Sequence, residues 1–232
     1  MTERLEKMAG VDRLPIFPLP LVLLPNEMLP LHIFEDRYQA MLADIADTGS
    51  MFGITLFEPN EAFIERPDLD TIGCVAEVRD IETLDDGRAN IIVVGLVRYR
   101  LLGYADTGTP YLMGEVEFFE DDAESPATLD PLADEVFKIF ERVAKAAFKL
   151  SGKRGTFPAI ARTDPESFSF LCSAAFSFEN EFKYRLLETT STVERLEKLR
   201  EVLVKAAGEL ESSADIRHAA ETNGHSKKKL DL

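Results

Sequence analysis

Between residues 14 and 34 the chain reads LPIFPLPLVLLPNEMLPLHIF, apolar almost throughout, with a single charge at Glu27 and five prolines, Pro15, Pro18, Pro20, Pro25 and Pro30. The stretch is about long enough to cross a bilayer. Each proline, however, removes a backbone donor and clashes with the preceding turn of a helix, and inside a membrane those broken bonds find no water. The pattern therefore predicts short extended pieces at 14–19 and 31–34, joined by a turn over 24–30, with proline at strand starts, edges and turns.

The period then changes. In residues 35–47, Tyr38, Met41, Leu42 and Ile45 recur at helical spacing, behind acids that suit a first turn. Strands are predicted at 51–57, 72–84, 88–104 and 111–120, and the DDGR of 85–88 marks a hairpin turn in which Gly supplies a positive φ. Closely spaced strands joined by hairpins favour a small antiparallel barrel. An acidic linker, EDDAESPA at 120–127, ends this half.

Beyond the linker the pattern is helical. Leu132, Val136, Ile139, Phe140, Val143 and Phe148 line one face of a helix over 129–150, and a loop follows at 151–162. TDPE at 163–166 starts another helix, with Asp164 or Thr163 as cap and Pro165 in its first turn; Phe168, Leu171, Cys172 and Ala175 share its face. SFENE at 177–181 opens a helix running to 187, and STVE at 191–194 reads as a capping box ahead of Val193, Leu196, Leu199, Val202 and Leu203. From residue 212 the pattern fades. The fold class is thus α+β: a β-rich barrel over 13–120, a helical bundle over 128–207 and a disordered tail over 212–232.

Composition narrows the function. Of 232 residues, 45% are hydrophobic, enough for a core. With 42 acids against 26 Lys and Arg the formal charge is −16, which opposes binding of nucleic acid over the whole surface. Cys74 and Cys172 stand far apart and outside any C-x-x-C pair, so neither a disulfide scaffold nor a zinc ribbon is expected. Reduced thiols, a mixed-charge start without a signal-peptide pattern and the absence of a spanning segment lead to the expectation of a cytoplasmic protein away from membranes.

Catalytic patterns are missing. SGKR at 151–154 lacks both the earlier Gly and the following hydroxyl of a phosphate-binding G-x-x-x-x-G-K-[ST] loop, and neither G-x-S-x-G nor H-E-x-x-H occurs. Of His32, His218 and His225, two fall in the tail, and His32 sits among apolar neighbours and reads as a structural or surface residue. No catalytic residue, cofactor or metal is expected. Two basic features remain as candidate partner contacts. Lys149, Lys153, Arg154 and Arg162 concentrate positive charge around one loop, suiting an anion or acidic partner, or simply a helix C-terminus. Arg98 and Arg100 share one face of the strand over 88–104, with Val97 and Tyr99 on the other. Phe34, Phe57, Phe118 and Phe119 are expected in the core.

With these pieces placed, the chain resembles the N-terminal domain of Lon proteases. LPIFPLPLVLLPNEMLPLHIFEDRYQAML is similar to that domain's opening, in which two proline-punctuated strands precede a helix. GCVAEVRDIETLDDGRANIIVVGLVRYRL resembles its central hairpin, with V-x-G-x-x-R at Val93, Gly95 and Arg98. Residues 164–199 resemble its helical half, where Leu186, Leu187, Glu188, Glu194, Arg195 and Leu196 match a pattern whose usual polar position is here Tyr184. The resemblance covers about 13–207. It implies a PUA-like β pseudo-barrel followed by a helical bundle, and a role in holding unfolded or tagged polypeptides for an ATP-dependent protease or chaperone. The ATPase and peptidase modules of a full Lon enzyme have no counterpart here, so the expectation is a freestanding, non-catalytic substrate-binding domain, an adaptor in protein quality control. Its peptide site is expected in a groove between barrel and bundle, or at an open sheet edge. PUA-like barrels elsewhere bind RNA, which is the alternative.

Overall fold

The computed structural model describes residues 3–58, 66–151, 157 and 159–223. Its elements are α1 (Glu3–Lys7), β1 (Arg13–Leu19), β2 (Met28–Ile33), α2 (Asp36–Ile45), β3 (Met51–Leu56), β4 (Ile72–Thr83), β5 (Ala89–Ala105), β6 (Leu112–Phe119), α3 (Pro126–Leu150), α4 (Pro165–Ala174), α5 (Asn180–Glu188) and α6 (Thr192–Asn223). The strands lie in the order β2-β5-β4-β3-β1-β6, and β6 pairs with β5 as well. That second pairing closes β1, β3, β4, β5 and β6 into a ring. It is possible because β5 is 17 residues long. Ala89 to Val94 run beside β2, and Arg98 to Ala105 run beside β6. One edge of β2 is left without a strand among the described residues.

The ring is not wholly antiparallel. β1 and β3 run parallel, with Ile16 opposite Gly53. Parallel neighbours need a crossover, and the β2–α2 excursion supplies it. The turn before β2 is also shorter than the sequence suggests: it occupies Leu24 to Glu27, where the Glu27 N–H donates to the Leu24 carbonyl (3.1 Å). Pro25 holds the second position and Asn26 the third, at φ 66°, a residue choice that suits a turn needing positive φ there. Gly95 lets this turn lie directly on β5, since a Cβ there would sit 2.2 Å from the Leu24 carbonyl oxygen.

Inside the ring Leu14, Ile16, Val75, Val97, Tyr99, Leu101 and Val116 form one apolar cluster with Met8. Tyr99 fills its centre. Gly53 and Gly73 make room for the ring, because a Cβ at either would come within 2.5 Å of the Tyr99 hydroxyl oxygen. The hydroxyl hydrogen-bonds Thr55 Oγ1, so the buried polar atom is satisfied. A second cluster packs α2, through Tyr38, Met41, Leu42 and Ile45, with Phe52, Ile54, Ile91, Val93, Phe170 and Leu187.

The last two residues belong to α4 and α5. These helices group with the sheet: one compact unit comprises residues 1–123 and 166–192, the other 124–165 and 193–232. The division at 120–128 into barrel and bundle is corrected accordingly. Phe170 and Leu187 need the sheet's apolar cover, and polar contacts reinforce them. Lys183 pairs with Glu27 at 2.9 Å, which accounts for the one charge of the opening stretch. The Tyr184 hydroxyl accepts the Ile72 N–H at 2.9 Å, so Tyr184 does the work of a polar residue in an aromatic frame.

In the second unit α3 buries Ala133, Val136 and Val143, and α6 buries Leu196, Leu199, Leu203 and Ala207. α6 continues as helix to Asn223, so the tail expected from 212 begins as helix, while residues 224–232 lie outside the described residues. No described helix is long and apolar enough to cross a membrane.

Candidate functional site

Of the basic candidates, Arg98 and Arg100 belong to the first unit and Lys149 and Arg162 to the second. Arg98 is 1% exposed. Its guanidinium donates to the carbonyls of Leu187 (3.0 Å) and Thr189 (2.8 Å) and pairs with Asp121 at 2.5 Å. The Phe119 ring lies 4.6 Å from its Cζ. The charge is spent inside the fold, which corrects its reading as a partner contact: α4, α5 and the segment after β6 cover this face of β5 at Arg98 and leave Arg100 exposed. Lys149 is exposed in the last turn of α3. Arg162 is exposed, bonds Asp134 and lies 5.2 Å from the Phe137 ring. Lys153 and Arg154 lie outside the described residues.

A groove of about 1180 Å³ opens beside α2 and the end of β5, between Arg37, Arg66, Tyr104 and Tyr111. Its polar groups largely serve one another. Arg66 stacks on Tyr104 at 4.6 Å, the Tyr104 hydroxyl donates to the Pro67 carbonyl at 2.7 Å, and the Tyr111 hydroxyl donates to Asp44 at 2.8 Å. Burial pushes both phenols up to about 12, so they stay neutral donors at neutral pH. Among the described residues no group of three His, Cys, Asp or Glu is placed to hold a metal ion.

β2 offers a different surface. Its side chains alternate: Leu29, Leu31 and Ile33 turn towards the core, and Met28, Pro30 and His32 turn outward. Met28 is 67% exposed and Phe34, just past the strand, 62%. Phe34 was expected in the core; it lies beyond the last inward residue of β2, where the chain turns into α2. Phe57, Phe118 and Phe119 are half-buried. His32 is a surface residue, its ring stacked on Phe34 with centroids 6.1 Å apart and its Nδ1 2.8 Å from Asn90 Oδ1. Asn90 Nδ2 in turn donates to Glu82 at 2.9 Å. That bond makes Oδ1 the acceptor in the first contact and places the proton on Nδ1.

Strand addition suits this edge poorly. The Gly95 N–H bonds the Glu27 carbonyl at 2.9 Å. Antiparallel alternation from that pair puts Leu29, Leu31 and Ile33 in the hydrogen-bonded positions towards β5, and turns the backbone of Met28, Pro30 and His32 outward. Pro30 therefore deletes the middle one of three outward donors, a common way of blunting an edge. The side-chain row remains available for recognition. The sequence carries the signal in the alternation of MLPLHI, where His32 marks the outward series shared by Met28 and Pro30.

The molecule is a mixed α+β module, a closed barrel with one attached edge strand and packed helices. Residues 13–205 match the model of the ATP-dependent protease La (LON) substrate-binding domain, and the chain belongs to that family. Over 215 residues it is 27% identical to the Lon protease of Heliobacterium modesticaldum, covering 89% of this chain and 26% of that protein. It is 25% identical over 213 residues to the Lon protease of Desulforamulus reducens, again covering 89% and 26%. The chain thus spans about a quarter of the length of these curated relatives, and the matched part is the substrate-binding domain. Two solved structures share the fold. The Lon N-terminal domain protein from Xanthomonas campestris superposes with a TM-score of 0.58 at 24% identity, covering 82% of this chain and 97% of that one. The N-terminal domain of Mycobacterium avium complex Lon protease does so with a TM-score of 0.58 at 20%, covering 84% and 98%.

Proposed function

We propose that this chain binds unfolded or tagged polypeptides without catalysing any reaction on them, and that it acts as an adaptor delivering them to an ATP-dependent protease or chaperone. The observation that carries the reading is the outward row of β2. Met28, Pro30 and Phe34 expose apolar side chains beside an edge unsuited to strand pairing. Exposed apolar groups of this kind mark contact surfaces when they lie together. The family's substrate-binding role supports the same reading.

Methyl NMR of methionine-labelled protein tests it. Adding a permanently unfolded polypeptide is expected to shift the Met28 methyl signal and leave that of the fully buried Met41 in place. An unmoved Met28 signal at saturating polypeptide overturns the assignment of this surface.

A further inference from the structure

The cross-strand register carries the β2 row outward to a second column of side chains. Met28 lies opposite Val94, Pro30 opposite Ile92, and His32 opposite Asn90. On the far side of β5 the same residues meet β4: Val94 opposite Glu77, Ile92 opposite Asp80, and Asn90 opposite Glu82. Directly opposed residues share a face of the sheet, so each outward residue of β2 heads a row that ends in a β4 carboxylate. The three carboxylates differ. Glu77 is buried and paired with Lys7 and Arg79. Asp80 and Glu82 are exposed, and neither has a cationic partner among the described residues. Between them and β2 the surface forms a hollow of about 350 Å³, with Pro30, His32, Asn90 and Ile92 lining it beside the two carboxylates.

Resting on the polypeptide-binding reading above, we propose that this hollow selects apolar segments that carry Lys or Arg close to the apolar group. Strands lie about 4.8 Å apart, so the Pro30 and Asp80 backbones stand about 10 Å from one another. In an extended ligand, residues i and i+2 are about 7 Å apart on one face. An apolar side chain seated over Pro30 and Ile92 thus brings a basic side chain two residues away within reach of Asp80 or Glu82. A segment with acids at those places meets two carboxylates that have no cationic partner among the described residues and is repelled. Apolar contact supplies the affinity, and the acidic column decides which apolar segments are accepted.

The test uses three fluorescent peptides with one apolar centre and lysine, serine or glutamate flanks, titrated against the full chain. The lysine peptide is expected to bind at least tenfold more tightly than the glutamate peptide. In the Asp80→Asn/Glu82→Gln variant the gap is expected to fall below threefold, with serine-peptide affinity unchanged. The matched variant Glu197→Gln/Glu201→Gln removes the same charge from the exposed face of α6 and is expected to keep the gap, which separates a local contact from the general field of an acidic protein. Equal affinity for lysine and glutamate peptides, or an equal loss of the gap in both variants, overturns the proposal while serine-peptide binding still stands for the underlying reading. If none of the peptides binds, both fall.

Discussion

Arg98 Nη2 lies 2.5 Å from Asp121 Oδ1, and the two side chains are 1% and 4% exposed. The pair ties three segments together. Arg98 also holds the Leu187 and Thr189 carbonyls that end α5, and the other oxygen of Asp121 accepts a bond from Thr192 Oγ1. Removing one member of a buried, hydrogen-bonded pair strands the other charge, at a cost of about 3–5 kcal/mol. Arg98→Ala and Asp121→Ala are each expected to lower stability by that order in urea unfolding, and the double variant by clearly less than the sum. Additive losses would show that the two residues act independently.

A subtler change is expected to be as legible at Gly53. A Cβ there would lie 2.5–2.8 Å from three atoms of the Tyr99 side chain. Overpacking of this kind costs about 1–3 kcal/mol. Gly53→Ala is expected to lose that much stability, and Tyr99→Leu to make the same substitution nearly neutral in the double variant. A Gly53→Ala protein as stable as wild type would contradict the close contact.

Alkaline pH should weaken the fold through groups kept neutral by burial. Burial pushes the Cys172 thiol up to about 12 from an ordinary value of 9.0 and the Tyr111 phenol to about 12 from 10.0. The unfolded chain releases these protons first, so it holds fewer protons than the native state above about pH 9, and stability falls as pH rises from there towards 12. Urea midpoints measured between pH 8 and 11 are expected to decline, less steeply in Cys172→Ala. A flat profile would contradict the buried thiol, as would rapid reaction of native protein with a thiol reagent at pH 8.

Arg162 gives the opposite expectation. Its side chain is 59% exposed and its partner Asp134 51%. Exposed pairs contribute between nothing and about 1 kcal/mol. Arg162→Ala is expected to leave the unfolding midpoint almost unchanged; a loss of several kcal/mol would mean that the contact anchors the second unit.

Where the apolar period was long, the sequence announced the structure. The face of α2, with Tyr38, Met41, Leu42 and Ile45, is buried as its spacing requires. The turn ahead of Arg88 has Gly87 at φ 86°. What could not be read locally depends on which element covers which. Arg98 and Arg100 are equivalent by strand alternation, yet Phe170 and the end of α5 cover only the first. α4 and α5 look like members of a helical bundle because an amphipathic stripe does not say whether a sheet or another helix will bury it. Phe34 reads as core by composition and is exposed by position. The carboxylates of Asp80 and Glu82 gain meaning only through the register that aligns them with Pro30 and His32.

The most direct test of the account is the affinity of a labelled unfolded polypeptide for wild type and for a Met28→Asp/Phe34→Asp variant shown by circular dichroism to be folded. Both positions are well exposed, so the charges are tolerated by the fold and placed where an apolar ligand would have to desolvate them. At least a tenfold loss of affinity is expected. Undiminished binding by the folded variant would contradict it and move the binding surface away from β2.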